Sequence, residues 1–199
     1  RPDWSRPTDY VCKGLYAALQ IAYISVSLTA DGLPMMRVLI FPLILMLSGL
    51  CEAKLSVGDP APFRLGKNAK GGEEVILQDY SGKITVVHFW ATWCDYCFKS
   101  LPAMEYMQEQ LGLANLQVVS IAVKDDPKSV NKITAELKEM SMVSAVDKTG
   151  KVGETFGDDY MPNVWIIGRD GKIAAQTQIK NDEDLKKAIK LVEAALRAK

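Results

Sequence analysis

The chain has 199 residues, enough for one domain with a substantial core, and its 48% hydrophobic and 24% charged fractions are those of a globular protein. Its 24 lysines and arginines equal its 24 aspartates and glutamates, so no basic excess attracts nucleic acid and no acidic tail is present. No internal repeat or low-complexity tract is apparent.

In chain order, residues 1–34 precede "MMRVLIFPLILMLSGLCEA", Met35 to Ala53, which has the pattern of a secretory signal. Arg37 supplies the positive region and Val38 to Leu50 the uncharged apolar one. Cys51 and Ala53 are the small residues at −3 and −1 of a cut after Ala53. Thirteen residues at ~1.5 Å rise span about 20 Å, short of a ~30 Å hydrocarbon core, which places a cleaved signal ahead of a retained membrane anchor. Lipidation at Cys51 is a further alternative, although Leu50 stands where the lipoprotein pattern wants a small residue. Residues 1–34 are expected to be a mis-assigned upstream segment or a disordered extension, 35–53 a signal peptide, and 54–199 the folded domain. Only Cys94 and Cys97 of the four cysteines then remain. The expected location is periplasmic or otherwise extracytoplasmic, free, anchored or lipidated, where disulfides persist.

"GDPAPFRL" (Gly58 to Leu65) is an extended, proline-marked lead-in. Glu74 to Leu77 is a short strand candidate, followed by a turn at "YSGK". "ITVVHFW", Ile84 to Trp90, is β-branched and aromatic and predicts a buried central strand. A helix is predicted from Asp95 to about Leu111, kinked by Pro102. "QVVSIAV", Gln117 to Val123, predicts the next strand. A helix then starts at Pro127 with Asp126 as its cap, and Val130, Ile133, Leu137 and Met140 form its buried face. Lys124, Asp125 and Asp126 together are assigned to this cap. Val143 to Val146 is a short strand candidate. Val164 to Gly168 and Ile173 to Thr177 flank the hairpin turn "RDGK". The last helix begins near Asn181, with Asp182, Glu183 and Asp184 at its start and Lys190, Arg197 and Lys199 toward its end, as the helix dipole favours. Parallel strands joined by helical crossovers, then a hairpin and a helix, make an α/β three-layer sandwich.

"HFWATWCDYC", His88 to Cys97, gathers the only histidine and two cysteines at a strand-to-helix junction. The two-residue spacing brings the sulfurs close enough for a small disulfide ring. Unpaired backbone N–H groups of the first helical turn favour a thiolate. Cys94, the more exposed of such a pair, is the expected nucleophile and Cys97 the resolving thiol. A structural zinc ion wants four ligands, whereas residues 54–199 offer two cysteines and one histidine on the preceding strand. No metal is therefore assigned. A cuprous site is an open alternative, since soft thiolates hold that ion with few ligands.

"FWATWCDYC" resembles the active-site segment of the thioredoxin superfamily. With the signal, "GDPAPFRL", "SGKITVVHFWATWC" and "MPNVWIIGRDGKI", the chain over most of 55–195 resembles the TlpA/ResA-type thiol–disulfide oxidoreductases of the bacterial envelope. That resemblance implies the thioredoxin fold, a central mixed sheet flanked by helices. It implies that Cys94 and Cys97 are the redox-active disulfide, that Trp93 is the tryptophan before it, and that Pro102 is the kinking proline. It also implies that Pro162 follows a cis bond and packs against the disulfide, and that Met161 offers its backbone to a bound substrate chain.

The chain departs from the pattern in three places. Asp95 and Tyr96 stand between the cysteines where thioredoxins carry Gly-Pro, and the Asp95 charge disfavours a Cys94 thiolate, which predicts a comparatively reducing couple. Ser100 replaces a glutamate associated with cytochrome c precursors. His88 replaces a buried aspartate or asparagine; it is either a proton acceptor for Cys97 or a buried histidine satisfied by backbone partners. Tyr96, Phe98 and Trp165 are candidates for an apolar substrate surface, with ordinary packing as the commoner role of such residues.

The expected protein is a monomeric exported thiol–disulfide oxidoreductase, a reductase of protein disulfides, with no cofactor beyond its own cysteines. Its partners are cysteine-containing protein substrates and a membrane or periplasmic electron donor. The alternatives are a copper-binding assembly factor and a thiol peroxidase. The peroxidase "PxxxTxxC" spacing is absent, and no distal histidine follows His88.

Overall fold

The computed structural model describes residues 55–136, 140–157 and 160–198. The proposed signal and everything before it lie outside these residues, as do Leu137 and Lys199. Seven strands form one sheet: β1 Arg64–Asn68, β2 Glu74–Ile76, β3 Ile84–Trp90, β4 Leu116–Val123, β5 Val143–Asp147, β6 Asn163–Ile167 and β7 Ile173–Gln178, in the order β2-β1-β5-β4-β3-β6-β7. The helices are α1 Cys97–Leu111, α2 Pro127–Glu136, α3 Lys151–Phe156 and α4 Asp182–Arg197. β3 runs parallel to β4, and β4 to β5, while β6, β7, β1 and β2 join antiparallel. This is the thioredoxin arrangement, a mixed sheet between helical layers.

β3 is buried along its whole length, as its apolar sequence requires of a central strand with both faces covered. Alternation divides it between two cores. Ile84, Val86 and Trp90 pack with Leu101, Met104 and Met107 of α1, Val130 of α2, and Ala188 and Val192 of α4. Val87 and Phe89 face the opposite core with Phe156 of α3, Trp165, Leu65 and Leu77. His88 shares the first face with Trp90, the face that α1 and Cys97 cover.

The structure adds what local pattern lacked. Only Arg64 and Leu65 of β1 fall within the expected extended lead-in. α3 went unassigned, because it is a six-residue turn between two left-handed glycines, Gly150 and Gly157. The Asp147 carboxylate holds its start, accepting from the N–H groups of Gly150, Val152 and Gly153. α1 begins at Cys97 rather than Asp95.

Candidate active site

The end of β3 leads through Ala91 to Tyr96 into the first turn of α1. Cys94 N–H donates to the Ala91 carbonyl (3.1 Å) and Cys97 N–H to the Cys94 carbonyl (3.0 Å). These two turns carry both cysteines into a disulfide with Cα atoms 5.3 Å apart, within the usual bridging range. Cys94 is half-buried, whereas Cys97 is fully buried against the α1 core. Attack from outside can therefore reach only the Cys94 sulfur. Trp93 stands out beside it, 67% exposed, and Phe98 is 43% exposed on the next turn. The Met161–Pro162 bond is cis. Pro162 is buried, and Met161 packs against both cores.

His88 is wholly buried. Its Nε2 lies 3.0 Å from Ser100 Oγ and its Nδ1 3.3 Å from Ser120 Oγ. Ser100 Oγ donates to the Cys97 carbonyl (3.0 Å). A hydroxyl has one proton, so Ser100 oxygen accepts from His88 Nε2–H, and Nδ1 accepts from Ser120. Burial pulls the His88 pKa down to about 3, so the ring is neutral near pH 7. Two hydroxyls partner it rather than backbone groups. The two family departures, His88 and Ser100, are therefore in contact, and they meet at the backbone of Cys97. The polar Ser120 inside "QVVSIAV" was the available signal, since β3–β4 register pairs it with His88.

Tyr96 is tied down as well. Its hydroxyl donates to Asp182 Oδ1 (2.7 Å), and this bond above all pushes its pKa up to about 12. The Lys99 ammonium lies 5.3 Å over its ring. Trp165, by contrast, is no surface residue: it is buried edge-on against Phe156. Asp126 does cap α2, accepting from the N–H groups of Lys128 and Ser129. Asp125 does not share that task. It bonds Thr92 in the redox turn instead, a contact between residues 33 positions apart that sequence reading missed. Among the described residues, no group of three or more His, Cys, Asp or Glu side chains is disposed to hold a metal ion.

A sheet of this topology with a helix-start Cys-x-x-Cys disulfide defines a thioredoxin-fold redox protein. The Redoxin family model matches residues 56–194. The thiol–disulfide oxidoreductase ResA of Bacillus thuringiensis is 26% identical over 141 residues, covering 68% of this chain and 80% of that one. A thiol:disulfide interchange protein DsbE from Chlorobium tepidum superposes with a TM-score of 0.66 at 29% identity, covering 72% of this chain and 99% of its own. A secreted disulfide oxidoreductase of Mycobacterium tuberculosis shares the fold, with a TM-score of 0.54 and 17% identity over 66% of this chain and 95% of its own. The chain belongs to the Redoxin family and is a thiol–disulfide oxidoreductase of the TlpA/ResA type.

Proposed function

We propose that the protein is an exported reductase of disulfides in other proteins. The observation that carries this reading is the asymmetry of the pair, with Cys94 open to a partner and Cys97 buried behind it. In the reduced protein the Cys94 thiolate attacks one sulfur of a substrate disulfide. A mixed disulfide forms and one substrate thiolate leaves, taking a proton from solvent. Cys97 then loses its proton and attacks the Cys94 sulfur, re-forming the Cys94–Cys97 bond and releasing the second substrate thiol. The substrate gains two electrons, and a dithiol donor at or outside the membrane returns them to the pair.

Trp93 and Tyr96 would flank the incoming disulfide, Met161 would present its backbone to the substrate chain, and Pro162 would close the far side. The helix N-terminus supports the Cys94 thiolate. Of the two roles expected for His88 the buried neutral one is preferred, since its Nε2–H already donates to Ser100 and burial disfavours the imidazolium; solvent then takes the Cys97 proton, and a slower mixed-disulfide resolution in His88→Asn would restore the proton role. The signal-like segment 35–53 supports export, and among the described residues no helix is long and apolar enough to cross a membrane.

The deciding experiment is the equilibrium of Cys94–Cys97 with a glutathione buffer. A potential near the thioredoxin end, about −270 mV, supports the reductase, and a value near −120 mV makes the protein a disulfide donor.

A further inference from the structure

The loop after β4 returns to the redox turn by an unusual backbone path. Lys124 has φ of +56°, a left-handed conformation that residues other than glycine adopt only when their surroundings impose it. Its N–H donates to the Asp147 carbonyl (2.8 Å). Its side chain lies over Gly150, where a Cβ would meet Lys124 Cε at 2.5 Å. Asp125, the next residue, presents its carboxylate to Thr92. Oδ2 accepts from the Thr92 backbone N–H and Oδ1 from the Thr92 hydroxyl, both at 2.7 Å. Thr92 lies within the Ala91–Cys94 turn.

We propose that Asp125 is a positioning residue for the redox couple, holding through Thr92 the turn that carries Cys94 where its sulfur meets Cys97. Cys97 is fixed from the other side, by its place in α1 and by Ser100 at its carbonyl. Closing a disulfide between groups already held in place costs less entropy than gathering mobile ones, so a fixed Cys94 raises the effective concentration of one sulfur at the other. The clamp therefore favours the disulfide over the dithiol and makes the couple more reducing.

The inference rests on thiol–disulfide exchange at Cys94–Cys97, and the test separates the two. Full-length protein is equilibrated with glutathione, acid-quenched, and the Cys94–Cys97 disulfide quantified by peptide mass mapping. In that exchange two glutathione thiols give two electrons and two protons to the pair, and one glutathione disulfide forms as the Cys94–Cys97 bond breaks. Asp125→Asn is expected to move the equilibrium toward the dithiol by about tenfold and Thr92→Val by about threefold, because charged hydrogen bonds are lost. Thr92→Ser restores the hydroxyl and is expected to stay within about twofold of wild type, and the double variant to shift no further than Asp125→Asn alone. Thr92→Val and Asp125→Asn proteins that lose thermal stability yet keep the wild-type equilibrium would reduce Asp125 to a structural role. A Thr92→Ser shift as large as that of Thr92→Val would also overturn the proposal. If Asp125→Asn does not fold, the Thr92 pair decides. A wild-type protein that does not exchange with glutathione overturns the exchange reading itself, whereas exchange with unshifted variants overturns only the clamp.

Discussion

His88 brings the chain's only imidazole to a place where it cannot readily gain a charge. Its folded pKa of about 3 lies below the ordinary 6.5 because burial penalises the imidazolium. Between those values the unfolded chain takes a proton that the folded one refuses. The neutral ring's contribution is therefore fully present above about pH 6.5 and lost progressively as pH falls toward 3, with a slope of up to about 1.4 kcal/mol per pH unit. His88→Asn is expected to flatten the urea-unfolding stability profile over that window, and a profile parallel to wild type would contradict the neutral buried ring. Ser100→Ala strands the His88 Nε2–H and removes the hydroxyl donor from the Cys97 carbonyl; the expected loss is about 1–3 kcal/mol, read from the same unfolding curves. At the cysteines, exposure sets reactivity. In the reduced native protein, iodoacetamide should label Cys94 at least about tenfold faster than Cys97, and comparable rates on mass mapping would mean that Cys97 is accessible.

At the scale of elements, α4 is the helix whose sequence states its own boundaries. Asn181 caps it by accepting from Asp184 N–H (3.0 Å), three acidic residues fill its first turn, and Arg197 ends it. Asn181→Ala is expected to cost about 1 kcal/mol, with Asn181→Asp close to neutral, measured by thermal unfolding. α3 is the opposite case. Its six residues are too few for a helical period, and Phe156 anchors it edge-on between Phe89 and Trp165. Phe156→Ala should cost about 3–5 kcal/mol; a loss below about 1 kcal/mol would mean that α3 is not part of the cooperative core.

For the whole molecule, the proposed export rests on the signal-like pattern of Met35 to Ala53, with a cut after Ala53. Expression in a bacterium followed by N-terminal sequencing should give a secreted or periplasmic product beginning at Lys54. A product that keeps residues 35–53 in the membrane fraction would establish the anchored form instead.

The sequence by itself determined the strand "ITVVHFW", the capped ends of α2 and α4, the hairpin at Asp170-Gly171 and the spacing that lets Cys94 and Cys97 pair. Each depends on contacts within a few residues, or on an apolar run that fits only a buried strand. Only the tertiary structure decided that His88 meets Ser100 and Ser120, that Tyr96 is bonded to Asp182, that Trp165 is core, and that Asp125 holds Thr92 rather than capping a helix. These pairs lie 12 to 86 positions apart where hydrogen-bonded. No local propensity encodes such a meeting; it follows from strand register and from the backbone reversal at Lys124, which exist only once the sheet has assembled.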